Sequence, residues 1–252
     1  NEIKSFKPFN KIKSRPCVFE YIYFARPDSI LGGECAYEYR KRLGEELAKE
    51  SSIDADIVVP VPDSGVPAAI GYSQTSNIKF ELGLIRNHYV GRTFIEPTQN
   101  IRSFGVKLKL SSTKSILKNK SVILIDDSLV RGTTCSKIVK MLYKAGAKKV
   151  HVRIACPEIK YPDFYGVDMP TKKELLSSEK NIKEICEYLG AESINFLSIE
   201  GLYKALIKDK RNNSYPQFSD HDFTGEYPVK ALDKLGSEKI TQLSLLSNKS
   251  SS

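Results

Sequence analysis

Apolar and polar positions along this chain switch between two periods. Short apolar runs at Asp56 to Val61 and Val122 to Ile125 read as buried strands, and Val150 to Cys156 supplies another strand. Between them, Glu34 to Lys49, Val66 to Thr75 and Thr133 to Ala145 carry apolar residues at helical spacing. Further strands are predicted at Cys17 to Phe24, from its aromatic and β-branched content, and near Lys79 to Leu84. Short strands alternating with helices predict an α/β fold, a mainly parallel sheet flanked by helices. Residues 171–206 read as helix, strand, helix, with helical patterning over Glu179 to Ser193, and are assigned to a small accessory subdomain or flank. The boundaries expected are 1–16 as a linker or remnant of a preceding domain, 17–206 as the main domain and 207–252 as a polar C-terminal extension. Disorder is expected after about Leu246.

The stretch from Val122 to Thr134, VILIDDSLVRGTT, carries the densest chemistry. Asp126 and Asp127 fall at the carboxyl end of a strand, the place where open α/β sheets bind ligands. Paired carboxylates can accept hydrogen bonds from the vicinal hydroxyls of a ribose, and Gly132 with the N–H groups of the next helix can wrap a phosphate. The alternative is an Asp pair that merely caps that helix. A second strand-end turn, Pro60 to Gly65 (PVPDSG), is either an ordinary Pro-Asp-Ser-Gly turn or a loop presenting backbone N–H groups to an anion.

Composition narrows this picture modestly. A chain of 252 residues with 40% hydrophobic and 27% charged positions suits one sizeable core, and no apolar run reaches the roughly 20 residues of a membrane span. The formal charge of +9 is spread over 39 Lys and Arg residues without a nucleic-acid motif, so no nucleic acid is expected as partner. Arg86, His88, Arg92, Arg102, Lys107 and Lys109 concentrate between two predicted strands and suit a segment that closes over a polyanion. Five cysteines, Cys17, Cys35, Cys135, Cys156 and Cys186, are an odd number with no C-x-x-C pair, which points to a reducing, cytoplasmic compartment. No signal-peptide pattern opens the chain.

VILIDDSLVRGTT resembles the phosphoribosylpyrophosphate (PRPP) motif of type I phosphoribosyltransferases. EYIYFARPDS (Glu20 to Ser29), PVPDSG, NHYVGRTFIEPTQ (Asn87 to Gln99) and YGVDMP (Tyr165 to Pro170) extend the resemblance to the phosphoribosyltransferase half of glutamine PRPP amidotransferases, across about residues 17–206.

That resemblance implies a type I phosphoribosyltransferase fold. It also implies formation of 5-phosphoribosylamine and pyrophosphate from PRPP and ammonia, the first committed step of purine synthesis. PRPP would be bound by Asp63, Ser64, Gly65, Asp126, Asp127, Ser128, Val130, Arg131, Gly132, Thr133 and Thr134. Ser64, Asp126 and Asp127 match the Mg²⁺ positions. Asp126, Asp127, Arg92 and Tyr89 match the catalytic positions; Tyr89, Gly91, Arg92 and Thr93 belong to the family's flexible loop. The sequence departs from the pattern at Arg86, where Lys is expected, and at His88, where Arg is common.

Many family members hold a structural iron–sulfur cluster with four cysteines. Here Cys17 matches the first, Asp163 stands at the second, and Tyr215 to Phe223 contains none, so no cluster is expected. The resemblance also implies a glutaminase domain in the intact protein, feedback by purine nucleotides, and a homo-oligomer, a dimer or tetramer. The chain starts at Asn1, and no glutaminase activity is expected from it alone. Rival readings are a base-salvage or orotate phosphoribosyltransferase, and a non-catalytic regulator that senses PRPP.

Overall fold

The computed structural model describes residues 6, 13–87, 110–167 and 171–229. A short hairpin, β1 (Ile30–Leu31) with β2 (Glu34–Cys35), leads into helix α1 (Ala36–Ser51). Strand β3 (Ile57–Pro60) and helix α2 (Val66–Ser76) follow, then the antiparallel pair β4 (Leu84–Arg86) and β5 (Leu110–Ser112) with the short helix α3 (Lys114–Leu117). Strand β6 (Ser121–Asp126), helix α4 (Thr133–Lys144) and strand β7 (Lys149–Ile154) complete the middle of the chain. A 3₁₀ turn (Lys172–Glu174), helices α5 (Leu176–Glu179) and α6 (Ile182–Leu189), strand β8 (Ser193–Phe196) and helices α7 (Ile199–Ile207) and α8 (His221–Thr224) close it. Among the described residues no helix is long and apolar enough to cross a membrane.

The central sheet is parallel, in the order β3-β6-β7-β8, as the alternating pattern predicts. Strand β6 is apolar on both faces because helices cover both: Val122, Ile123, Leu124 and Ile125 are all 0% exposed, whereas β7 alternates Val150, Val152 and Ile154 with the buried His151 and Arg153. Helices α1 and α2 cross so closely that a Cβ on Gly44 would lie 1.8 Å from the Ala68 carbonyl oxygen, and one on Gly71 1.9 Å from that of Lys41. Only glycine permits this approach, which seats α2 and the turn before it against the sheet.

Two predicted strands need correction. Cys17 to Phe24 is helical rather than extended, with a single bridge at Cys17 and a π-helical turn over Glu20–Phe24. The buried Arg40 side chain donates to the carbonyls of Tyr21 (3.0 Å) and Ala25 (2.7 Å), and Tyr21 packs edge-on against Tyr39 and Phe218. Tertiary partners thus override the β-propensity of the segment. The strand expected near Lys79 to Leu84 reduces to one bridge, Phe80 to Val58, before β4 starts at Leu84.

Residues 171–206 do not stand apart as an accessory subdomain. β8 is the edge strand of the main sheet, paired with β7 from His151↔Ser193 to Ile154↔Phe196, and α7 packs on α1. Nor is the stretch after residue 207 a loose extension as far as residue 229: Phe218 and Phe223 belong to the core, and Ser219 N–H donates to the Pro16 carbonyl at 2.9 Å. Residues 13–16, expected as linker, are held by the same segment, since Tyr215 Oη donates to the Lys13 carbonyl. The tail beyond Leu246 lies outside the described residues.

Candidate active site

Strands β3 and β6 run side by side, so the two loops singled out in the sequence leave the sheet at one edge. Val61 N–H donates to the Ile125 carbonyl at 2.8 Å, which continues the ladder one residue past the end of β3. Beyond it, Pro62 to Gly65 turns tightly, with Gly65 N–H donating to the Val61 carbonyl at 3.0 Å and a cis peptide between Pro62 and Asp63. The turn lies against the β6 loop, where the Ser64 hydroxyl favours the charged form of the Asp127 carboxyl. Asp63 is exposed and meets Arg86 Nη1 at 2.6 Å.

Asp126 and Asp127 occupy different surroundings although adjacent. Asp127 N–H donates to Asp126 Oδ1 at 3.0 Å, and Ser128 Oγ donates to Asp127 Oδ1 at 2.5 Å. Burial, and then the neighbouring Asp127 charge, push the Asp126 carboxyl well above the usual carboxylate range. Burial also raises Asp127, opposed by the Ser128 and Ser64 hydroxyls and by the positive charge of Arg40. Two carboxylates crowded at a strand end, with a hydroxyl from the facing loop, make an oxygen-only donor set suited to a hard cation such as Mg²⁺ and to ribose hydroxyls.

The following loop has the geometry of an anion cradle. Gly132 has φ of +71° at the N-terminus of α4, a left-handed conformation that lets the chain wrap before the helix begins. Asp126, Ser128, Val130, Arg131, Thr133 and Thr134 border a cavity of about 250 Å³ here, and both threonines are exposed to it. The unpaired N–H groups of the first helical turn and the helix dipole point at this space, so it favours an anion. Leu176 and Tyr188 lie over Gly132 and brace the loop from behind. Arg131 pairs with Glu174 at 3.5 Å on the surface.

The structure therefore brings together Asp63, Ser64, Gly65, Asp126, Asp127 and the loop from Ser128 to Thr134. Tyr89 and Arg92, with Gly91, Thr93, His88, Arg102, Lys107 and Lys109, lie outside the described residues. Sequence reasoning missed Arg40, only 4% exposed, whose charge faces Asp127. A signal was present: Arg40 sits in the buried stripe of α1 with Leu43 and Leu47, where a charged residue needs a partner.

Residues 38–184 match the model of the phosphoribosyl transferase domain family. The chain is 55% identical over 247 residues to an amidophosphoribosyltransferase of Rhizobium etli, covering 98% of this chain and 50% of that protein. It is 57% identical over 190 residues to the Methanocaldococcus jannaschii amidophosphoribosyltransferase, covering 75% of this chain and 40% of the other. Among solved structures, it resembles the glutamine PRPP amidotransferase of B. subtilis, crystallised with ADP and GMP. The TM-score is 0.81 at 46% identity, over 90% of this chain and 50% of that one. The chain thus spans about half the length of the curated relatives it matches. With a parallel α/β sheet that carries the carboxylate pair and phosphate loop at its edge, and with more than half of its residues matching the family model, this chain belongs to the phosphoribosyl transferase family.

Proposed function

We propose that this chain is the phosphoribosyltransferase half of an amidophosphoribosyltransferase, making 5-phosphoribosylamine and pyrophosphate from PRPP and ammonia. The observation that carries the reading is the meeting of the two loops: Val61 N–H donates to the Ile125 carbonyl where both strands end, and the Ser64 hydroxyl of the β3 turn favours the charged form of Asp127. One loop fits the pyrophosphate and the other the ribose 5-phosphate, so the bond between them lies over the carboxylates. Similarity to amidophosphoribosyltransferases along almost the whole chain favours ammonia over a nucleobase as acceptor.

In this reading ammonia attacks C1 of the ribose, the C1–O bond to pyrophosphate breaks, and the bonding electrons leave with pyrophosphate while the new amine sheds a proton. Positive charge develops on the sugar and negative charge on the leaving group. Asp126 and Asp127 hold the ribose hydroxyls and favour the positive charge. The N–H groups of Asp63 and Ser64 in the β3 turn and of the Gly132 to Thr134 cradle hold the two phosphate ends, Gly65 N–H being committed to the Val61 carbonyl. Ser64, Asp126 and Asp127 would hold Mg²⁺, which would supply charge neutralisation at the pyrophosphate. Tyr89 and Arg92 are assigned to closing the site. The cysteine placement, with one thiol at Cys17 beside Asp163, supports a chain without an iron–sulfur cluster.

In the intact protein a glutaminase domain would deliver the ammonia. Purine nucleotides would act as feedback inhibitors, a role suggested by the ADP and GMP in the B. subtilis complex. A homo-oligomer in the cytoplasm completes the reading. Purified chain given PRPP, Mg²⁺ and ammonium is expected to release pyrophosphate. Turnover with adenine, hypoxanthine or orotate but not with ammonium would overturn the assignment.

A further inference from the structure

Away from the phosphate loops, Asp163, His221 and Asp222 meet in a buried cluster. Asp163 Oδ2 lies 2.7 Å from His221 Nε2, Asp222 Oδ1 lies 3.6 Å from the same nitrogen, and all three donors fall within 4.8 Å of one another. Their side chains are 2%, 1% and 0% exposed. Both Asp222 carboxylate oxygens are buried without a hydrogen-bond partner, an arrangement that ordinarily costs several kcal/mol.

We propose that Asp163, His221 and Asp222 form a mononuclear site for a divalent transition-metal cation of the Zn²⁺ or Fe²⁺ class. Where the family resemblance implies four thiolates, this chain offers a nitrogen and oxygen donor set, which does not suit a [4Fe–4S] centre but suits a single borderline cation. Two carboxylates and a neutral imidazole balance its charge. The donors are already oriented. Asp163 Oδ1 accepts from the N–H groups of Tyr165 (2.6 Å), Gly166 (2.9 Å) and Val167 (3.0 Å), which leaves Oδ2 for the ion. His221 Nδ1 is paired with Ser219 Oγ at 2.9 Å, which turns Nε2 toward the two carboxylates.

A cavity of about 600 Å³ bordered by Cys17, Asp163, Ser219 and His221 provides entry. Binding replaces the proton shared between His221 and Asp163 with the ion, and it engages the unpartnered Asp222. The ion would tie the 161–167 turn to α8, reinforcing the hydrogen bonds that Lys160 and Tyr161 N–H already make to the Asp222 carbonyl.

The test is a titration of the chelator-treated, full 252-residue chain with Zn²⁺ in excess Mg²⁺, read by calorimetry and metal analysis. Co²⁺ serves as the spectroscopic probe. One equivalent of Zn²⁺, a rise in Tm, and visible Co²⁺ absorption typical of low coordination are expected. Asp222→Asn and His221→Gln are expected to lose all three, while Cys17→Ser and Asp126→Asn keep them. Circular dichroism separates lost binding from lost folding, and if Asp222→Asn unfolds, His221→Gln decides. The proposal is overturned if folded wild-type chain takes up no Zn²⁺, if binding survives in the folded His221 variant, or if it depends on Cys17. Iron with an equal amount of acid-labile sulfide in the protein as isolated would equally overturn it.

Discussion

Arg86 on β4 reaches across to Asp63 in the β3 turn, with Nη1 at 2.6 Å from Oδ2 and both side chains about half exposed, at 49% and 58%. The pair links the edge hairpin to the loop assigned to pyrophosphate. Exposed ion pairs contribute at most about 1 kcal/mol, so this contact does little for the fold.

Arg86→Ala is accordingly expected to leave Tm within about 2 °C of wild type, consistent with a small surface term. It should raise the KM for PRPP, because a cation beside the pyrophosphate is removed. Steady-state kinetics beside a thermal melt check this; a large fall in Tm with unchanged KM would show the pair to be structural.

Asp126 trades stability for chemistry. Burial and the Asp127 charge raise its folded-state pKa above the unfolded value, so the stabilising contribution is present below the unfolded pKa and is lost as pH rises through the folded one. At neutral pH without Mg²⁺, Asp126→Asn should therefore raise Tm. The same change should lower kcat by about 10²-fold or more, on the scale of losing one preorganised electrostatic group. A variant that is active but less stable would contradict both parts.

Gly132→Ala places a side chain at φ of +71° and a Cβ 2.6 Å from Leu176 Cδ2. The backbone cost is about 1–2 kcal/mol, and the flexible Leu176 tip gives way at smaller cost. Denaturant unfolding should show that loss. The reshaped cradle should weaken PRPP more than Mg²⁺, as measured by calorimetry.

The C-terminal segment is anchored by Asp220, which is fully buried and accepts from Tyr203 Oη at 2.7 Å and Arg211 Nε at 2.7 Å. Replacing it with Ala leaves Tyr203 Oη without its acceptor and the Arg211 guanidinium, 11% exposed, with only Glu226 and Asn213 as side-chain partners, and should cost about 1–3 kcal/mol. Replacing a surface residue such as Asp209 should cost nothing measurable, and equal melts for the two variants would refute the anchor.

Acid should destabilise the chain before its carboxylates titrate. Burial, then Arg153, depress the His151 pKa below its ordinary value; Glu192 opposes them weakly and Lys149 adds to them. A depressed imidazole contributes stability that is present above about 6.5, the unfolded value, and is lost as pH falls below it toward the folded pKa. Urea unfolding at pH 7.5 and 5.5 should show this loss, and His151→Gln should shrink it. Since His221 is depressed in the same direction, some of the slope should remain in that variant.

Much of this was legible in the residues. The runs at β3 and β6 announce themselves because a parallel strand buried on both faces must be continuously apolar, whereas β7 alternates Val150, Val152 and Ile154 with His151 and Arg153. The helices between them follow from period, and the Asp126 to Thr134 loop from the chemistry of carboxylates, glycine and hydroxyls at a strand end. Cys17 to Phe24 misled because aromatic content signals packing on a surface, which a helical turn against Tyr39 and Phe218 supplies equally well. Residues 171–206 read as helix, strand, helix, as the structure has them, but an edge strand of four residues carries no mark of which sheet it joins.

The sequence alone determined the α/β alternation, the carboxylate pair and the phosphate cradle, since each is encoded by neighbours within one element or turn. Only tertiary structure decided that β8 completes the sheet, that Arg40 faces Asp127, and that Asp163 meets His221 across 58 positions. Those meetings depend on which surfaces bury one another when the chain closes, and periodicity along a segment carries no record of its partner.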